Sequence, residues 1–281
     1  MAAARKDESD SLIEQFERFG AVAVSLTDGG DGPVLEPAPG ETALWEQLNV
    51  QALFPLDADV GAIRRGLAVP FEVEFVGDED WLQSWRRHVV ERRFGEVLLL
   101  TSRDAEVDST DVSRAVLRMD PGLAFGSGGH ATTALCLEWL AAHAADDIAR
   151  AAVLDYGCGS GILSNAAALL GAARVVAVDY DEQALTATRD NAAFNGVSRC
   201  VIVVRNNPQP EQFDVVIANI LAGTLVELAE DLCAYTAPGG QLVLSGILTS
   251  QSEWVRSAYP RVDFQPPCVE DGWVLLHGTH R

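Results

Sequence analysis

The chain has 281 residues, 20 of them basic and 41 acidic, for a formal net charge of −21. That balance argues against a nucleic-acid surface, which needs positive charge to meet phosphates, and it permits a basic partner. Hydrophobic residues make up 48% of the chain, enough for a sizeable core, and no apolar run is long enough to span a bilayer.

The first third reads as short alternating elements. Ser11–Phe19 has helical spacing and ends at Gly20. Ala21–Leu26 reads as a strand closed by the turn run Asp28–Pro33, with further strands at Pro33–Glu36 and Leu48–Phe54. Asp59–Ala68 reads as a helix, and Phe71–Phe75 (FEVEF) alternates as a half-buried strand should. The sum is a small α+β sandwich. Trp81–Arg93, with Trp81 and Trp85 four apart, reads as an amphipathic connecting helix. Strands follow near Glu96–Thr101 and Ser113–Met119, with a charged loop over Ser102–Asp111 between them.

From Asp120 the pattern changes. A helix over Thr132–Ala144 precedes strict alternation of strand and helix. Strands are expected at Ala152–Tyr156, Arg174–Tyr180, Cys200–Arg205, Phe213–Asn219 and Gln241–Gly246. Helices are expected at Ile162–Leu170, Glu182–Asn195, Gly223–Thr236 and Ser250–Tyr259, and two closing strands within Val262–Gly278. Continuous apolar strands joined by helices make a parallel sheet covered on both faces.

The five cysteines (Cys136, Cys158, Cys200, Cys233, Cys268) are scattered, with no pairing or metal-ligand spacing. Together with a polar, acidic start over Met1–Asp10 they point to reduced thiols in a cytoplasmic protein without a metal site. Lys6 is the only lysine, so no internal lysine is offered for Schiff-base chemistry. Met1–Asp80 carries 17 acidic against 5 basic residues, more than half of the excess negative charge.

Chemistry concentrates in four places. Val153–Gly161 (VLDYGCGSG) runs an apolar strand through Asp155 into Gly157, Gly159 and Gly161, and then into a helix. Glycines there allow a tight turn and close approach of a ligand to backbone. The spacing is GxGxG, with Ile162 where a dinucleotide fingerprint would place its third glycine. The form suits the amino-acid half of S-adenosylmethionine better than a pyrophosphate. Asp179 ends the next strand, where a carboxylate can accept both ribose hydroxyls; its rival Asp181 is placed to cap the following helix. Asn219 ends the fourth strand on the same edge, where its carboxamide can accept from an amine or close an Asx turn. Asp120–Thr133 (DPGLAFGSGGHATT) is a glycine-rich loop leading into a helix capped near Thr132 or Thr133. Phe125 and His130 in it suit a lid over a cofactor, and His130 equally suits a helix cap. The remaining histidines form no constellation.

At these residues the chain resembles the ribosomal protein L11 lysine methyltransferases of the PrmA type. The likeness is carried by Asp120–Thr133, Asp155–Leu163, Val178–Asn195 with its ATRDNAAFNG end, Ala218–Gly223 (ANILAG), Ala237–Gly240, Leu244–Leu248 and Glu270–Trp273. It extends more weakly into the front, through Pro39–Thr42, Asp80, Trp81, Trp85, Phe94 and Gly95. The resemblance implies a Rossmann-like, seven-stranded class I methyltransferase domain (120–281). A linker (79–119) would join it to a small ferredoxin-like domain (1–78) that recognises the ribosomal protein. It implies S-adenosylmethionine as cofactor, with contacts from Thr133, Gly157, Asp179 and Asn219, and methyl transfer to lysine side-chain and N-terminal amines by a monomer. The residue reading adds Asp155, Gly159, Gly161 and Phe125 to the cofactor site, and Asn219 and His130 to the chemistry. Other acceptors, or a cofactor-binding module without catalysis, are the alternatives.

Three departures from the family pattern set expectations of their own. Ser127, Gly129 and Ala131 replace the usual Thr, Thr and Pro, which should loosen the loop. Met1–Ser9 is polar, so the front domain is expected to lack its first strand. Thr101-Ser102-Arg103 stands where Pro-Ser-Trp is usual.

Overall fold

The computed structural model describes residues 2–5, 9–28, 47–67, 69–74, 91–103, 105, 115–119, 128–208 and 211–281. The chain divides into two units, Met1–Gly77 and Asp78–Arg281.

The front unit contains β1 (Ala2–Arg5), α1 (Ser9–Arg18), β2 (Ala23–Asp28), β3 (Gln47–Leu53) and α2 (Val60–Gly66). Its sheet has the order β1-β3-β2, antiparallel throughout. A first strand is therefore present, against the expectation from the polar start. A ladder is made by backbone groups, and Ala2–Arg5 pairs residue for residue with Gln47–Val50 without any apolar alternation to announce it. The βαββα order is that of a ferredoxin-like unit without its last strand among the described residues. The strand expected at Phe71–Phe75 does not form over 71–74, where only Phe71 makes a bridge. Leu12, Phe16, Val50, Ile63 and Leu67 make the small core, with Phe16 edge-on to Phe54 at 6.1 Å. Asp59 caps α2 by accepting from the Ala62 N–H at 2.9 Å. The expected strand at Pro33–Glu36 and residues 81–90 of the expected linker helix lie outside the described residues.

The second unit opens with a small sheet, β4 (Arg92–Phe94), β5 (Leu98–Ser102) and β6 (Ala115–Met119). Arg92 and Arg93 thus belong to a strand, not to the expected helix. Gly95, at φ +53°, turns the chain so that Arg92 faces Leu100. The main elements follow: α3 (Ala131–Ala142), β7 (Ala152–Tyr156), α4 (Ile162–Leu169), β8 (Arg174–Asp179), α5 (Glu182–Phe194), β9 (Val201–Arg205) and β10 (Phe213–Asn219). Then come α6 (Ala222–Glu227), α7 (Ala229–Tyr235), β11 (Thr236–Leu248), α8 (Ser252–Ser257), β12 (Val262–Phe264), β13 (Cys268–Glu270) and β14 (Trp273–His280). The expected helix Gly223–Thr236 is two helices meeting at Leu228, and the tail holds three strands rather than two.

The large sheet has the order β12-β14-β11-β10-β7-β8-β9, with β13 paired to β14. Strands β11-β10-β7-β8-β9 are mutually parallel and β14 is antiparallel to β11. The seven strands of this path make the Rossmann-like architecture expected, and β13 adds an eighth strand. Alternate residues of the central strands feed two cores. Val153, Val175, Ala177, Val215 and Ile217 join α3, α4 and the small sheet on one face. Leu154, Val176, Val178, Val216 and Ala218 join α6, α7 and α8 on the other. Burial on both faces explains the uninterrupted apolar runs. The five cysteines are unpaired. Among the described residues no helix is long and apolar enough to cross a membrane.

Candidate active site at the carboxyl edge of the sheet

β7 lies between β8 and β10, and the chain leaves it in opposite directions, so the crevice beyond these strand ends is where an open α/β sheet binds ligands. Asp155, one residue from the end of β7, is 1% exposed. One of its oxygens accepts from the Ser164 N–H at 2.9 Å and from the Ser164 hydroxyl. Burial pushes its carboxyl up to about 6, against the opposing pull of the Ser164 bonds and with a further push from the Asp179 charge. A carboxylate is thus held in a dry place beneath the glycine loop.

The loop itself is pinned at almost every peptide. Gly157, Gly159 and Gly161 all have positive φ, at +79°, +54° and +76°, which side-chain-bearing residues rarely adopt. The Gly157 and Cys158 N–H groups both donate to the Val178 carbonyl, at 2.8 and 2.9 Å. The loop carbonyls are met by side chains: Gly159 by the Thr188 hydroxyl at 3.0 Å, Ser160 by Asn191 Nδ2 at 3.0 Å, and Gly161 by Asn165 Nδ2 at 2.7 Å. Sequence reading missed these three residues. Their signal was there, since Thr188 and Asn191 stand three apart on the buried face of α5, where apolar residues belong. Gly161 also lets α5 pack close, because a Cβ there would lie 2.7 Å from Thr188 Cγ2.

Asp179 ends β8. One carboxylate oxygen accepts from the Gly159 N–H at 3.0 Å and the other from the Asp181 N–H at 3.0 Å. Each oxygen has further lone pairs, so the group still fits a vicinal pair of hydroxyls. Asp181 is the N-cap of α5, accepting from the Gln183 N–H at 2.9 Å. Asp181 is thus the cap that its position in the sequence suggested.

Asn219 ends β10, and its Nδ2 donates to the Thr133 hydroxyl at 3.3 Å. Thr133 is 1% exposed in the first turn of α3. That turn is held from two sides. Ser245, opposite Asn219 in the β10–β11 ladder, donates from its hydroxyl to the Thr132 carbonyl at 3.1 Å. His130 is the N-cap: its Nδ1 accepts from the Thr132 N–H at 3.3 Å and lies 2.8 Å from the Thr132 hydroxyl. Its ring stands edge-on to Trp273 at 4.9 Å. The cap is therefore His130, not Thr132 or Thr133. Ala131 is the first helical residue, a position that accepts proline because its N–H needs no partner in the helix. Gly128 has no room for a side chain, since a Cβ on it would collide with Leu100 and meet Ile162 at 3.3 Å. Phe125 and the rest of 120–127 lie outside the described residues.

Arg103, where the family pattern carries tryptophan, lays its guanidinium over the Phe194 ring at 4.4 Å and donates to Asn191 Oδ1 at 3.4 Å. A planar cation replaces a planar ring. Asn195 clasps β6 by exchanging two bonds with the Arg118 backbone, at 2.9 and 2.8 Å. The ATRDNAAFNG segment thus ties the small sheet to the glycine loop. Burial pushes the Cys136 thiol up to about 12 and the Cys158 thiol higher still, so neither is a nucleophile. Among the described residues no group of three or more metal-ligating side chains is assembled.

Taken together, three strand ends and one helix start supply an acid beneath a glycine loop, an acid beside it, and a carboxamide fixed by a threonine. Comparison with known proteins agrees. A model of the ribosomal protein L11 methyltransferase (PrmA) family matches residues 2–281. The ribosomal protein L11 methyltransferase of Methylococcus capsulatus is 45% identical over 287 residues, 98% of this chain and 95% of that protein. The Pseudomonas aeruginosa protein of the same name is 43% identical, covering 97% and 93%. The crystal structure of a ribosomal protein L11 methylase from Lactobacillus delbrueckii subsp. bulgaricus superposes with a TM-score of 0.60 at 28% identity, over 67% of this chain and 97% of that one. The chain belongs to the ribosomal protein L11 methyltransferase family.

Proposed function

We propose that this chain is an S-adenosylmethionine-dependent protein methyltransferase acting on lysine side-chain and N-terminal amines of ribosomal protein L11. The observation that carries the reading is the pairing of Asn219 with Thr133 at the strand ends that also carry the glycine loop and Asp179. The donor set fits the cofactor. Asp179 would hold the ribose hydroxyls. Gly157, Gly159 and Gly161 would let the amino-acid part approach the backbone above Asp155, with Thr133, Asn219 and Phe125 completing the contacts. When bound, S-adenosylmethionine supplies a methyl group on a positively charged sulfur, a leaving group that needs no acid.

The chain's own residues have a different task, which is to present a neutral amine in line. A free lysine has a pKa of about 10.4 and arrives charged; an apolar approach lowers that value because desolvation disfavours the ammonium. The Thr133 bond takes the Asn219 amide nitrogen, which leaves the amide oxygen to accept from the incoming N–H and aim its lone pair. His130 Nδ1 accepts from the Thr132 N–H in capping α3, which puts the proton of the neutral ring on Nε2, so a base role for His130 would need that cap bond released. The acidic front unit, residues 1–78, is the part we assign to L11 recognition, with 79–119 as linker and 120–281 as the transfer domain. A chain of this charge works without touching nucleic acid, as a cytoplasmic monomer.

The test is incubation with S-adenosylmethionine and unmethylated ribosomal protein L11, read by intact mass. Methyl-sized increments on L11 are expected. Cofactor binding with an unchanged L11 mass would move the acceptor elsewhere.

A further inference from the structure

Asn219 is followed by Ile220, and Ile220 is gripped by two glycines from two other strands. Gly157, in the loop after β7, has φ +79°, and a Cβ built there would collide with Ile220 Cγ2. Gly246, within β11, has φ +84°; a Cβ there would collide with the Ile220 carbonyl oxygen and lie 2.8 Å from its carbonyl carbon and 3.2 Å from its nitrogen. The β11–β14 register slips between Leu244 and Ile247, so the bulge carrying Gly246 passes directly beneath the Ile220 peptide. One glycine receives the side chain and the other receives the backbone. Both glycines are required twice over, by φ and by space.

We propose that Ile220 is a positioning residue for methyl transfer. It fixes the distance between the glycine loop and the Asn219 carboxamide, and the contact that does so is its Cγ2 methyl against Gly157. The inference rests on the function proposed above. Cofactor and acceptor are held by different strand ends, and in-line transfer needs them in register. The Asn219 side chain has its 3.3 Å bond to Thr133, but that bond anchors it to α3, not to the loop that would hold the cofactor. The β7–β10 ladder joins the two strands as far as Tyr156 and Ala218; beyond it, Ile220 reaches from the Asn219 segment to the glycine loop. It is half-buried at the margin of the second core, so it also packs, and the test must separate the two roles.

The contact atom makes that separation possible. Valine keeps a methyl branch on Cβ and loses a methylene elsewhere. Leucine keeps the volume and moves the branch away from Cβ. A packing role alone ranks Ile220→Leu level with or above Ile220→Val, because both changes are mild and volume-conserving ones are tolerated best. The positioning role ranks them in reverse. With L11 as acceptor, we expect Ile220→Val to hold kcat within about twofold, and Ile220→Leu to lose on the order of 10- to 100-fold, the scale of a sub-ångström to 1 Å misplacement. Cofactor Kd and KM for L11 should stay near wild type in both. Ile220→Thr, which keeps the branch methyl, should likewise exceed Ile220→Ala in kcat at equal cofactor affinity, which covers the case in which the leucine variant does not fold. Leucine equal to or better than valine, or threonine equal to alanine, overturns the proposal. So does a fall in cofactor affinity that accounts for the whole loss of kcat. A wild-type enzyme that leaves L11 unmodified overturns the acceptor reading and this inference with it, whereas an active wild type with the packing ranking overturns this inference alone.

Discussion

In the front unit α1, α2 and a three-stranded sheet share one small core of Leu12, Phe16, Val50, Ile63 and Leu67 with their partly buried neighbours. In the second unit the centre of the large sheet is buried on both faces and its central strands feed two cores. The difference decides where chemistry can be placed. A sheet over-determined on both faces can carry a buried acid and a loop of three left-handed glycines at its edge, because packing elsewhere offsets them. A small core has little such reserve. The acidic excess of the sequence falls in this front part instead, with 17 acidic against 5 basic residues over Met1–Asp80, a charge that would attract a basic protein.

The comparison can be broken most directly at Phe16. Phe16→Ala removes a ring that is 3% exposed, a change worth about 3–5 kcal/mol, most of what a small unit has. Two melting transitions are expected in place of the wild-type profile, with L11 methylation lost and cofactor affinity kept by calorimetry. A single transition would mean that the two units unfold as one. Next in size, Asn219→Ala should lower kcat by about 100- to 1000-fold, the range for removing one pre-aimed hydrogen-bonding group, with melting temperature little changed. A stable, active variant would remove Asn219 from the site.

Asp155 sharpens the comparison from the other side. Its carboxyl sits near 6 in the folded chain against an ordinary 3.8. A raised acid favours the fold while protonated, so its contribution is complete below about 3.8 and is lost as pH rises through about 6. Asp155→Asn should therefore stabilise the cofactor-free protein at pH 8 by on the order of 3 kcal/mol and leave it unchanged near pH 3.5. Denaturant titrations at the two pH values measure this, and an equal effect at both would show that the ionised form is not strained. The smallest effect is expected at His130. Asparagine is a good N-cap, so His130→Asn should keep stability within about 0.5 kcal/mol and keep most of kcat, while His130→Ala loses about 1 kcal/mol. A large loss of kcat in the asparagine variant would restore the imidazole as a base.

Where side chains pattern the chain, the fold was legible. β7 and β10 were expected at Ala152–Tyr156 and Phe213–Asn219 and occur there, because their apolar runs are bounded by a turn on each side. Asp181 was recognised as a cap from its place after an apolar run. The misses have a common origin in backbone and in shape. β1 is a ladder without a pattern, Arg92–Phe94 is a strand because of the turn at Gly95, and the break at Leu228 interrupts a run with unbroken helical spacing. The site divides the same way. Its acids, glycines and Asn219 could be found by residue type. Thr188 and Asn191 were signalled only as polar residues on an apolar helix face, and the partners Ser245 and Ile220 could not be found, since their roles depend on which strand lies beside which. The reason for Gly157 also changes: the space its missing side chain leaves is taken first by Ile220, not by a ligand.

The satisfied carbonyls of the glycine loop have a consequence for energetics. Thr188, Asn191 and Asn165 each take one peptide oxygen of the loop, and Asp179 takes the Gly159 N–H. Glycine has more conformational freedom to lose than any other residue, and here that freedom is already surrendered when the chain folds. A ligand arriving at this edge meets a surface with little left to order, so its affinity is not diminished by freezing the loop. The side chains that no ligand touches are the ones that make this so.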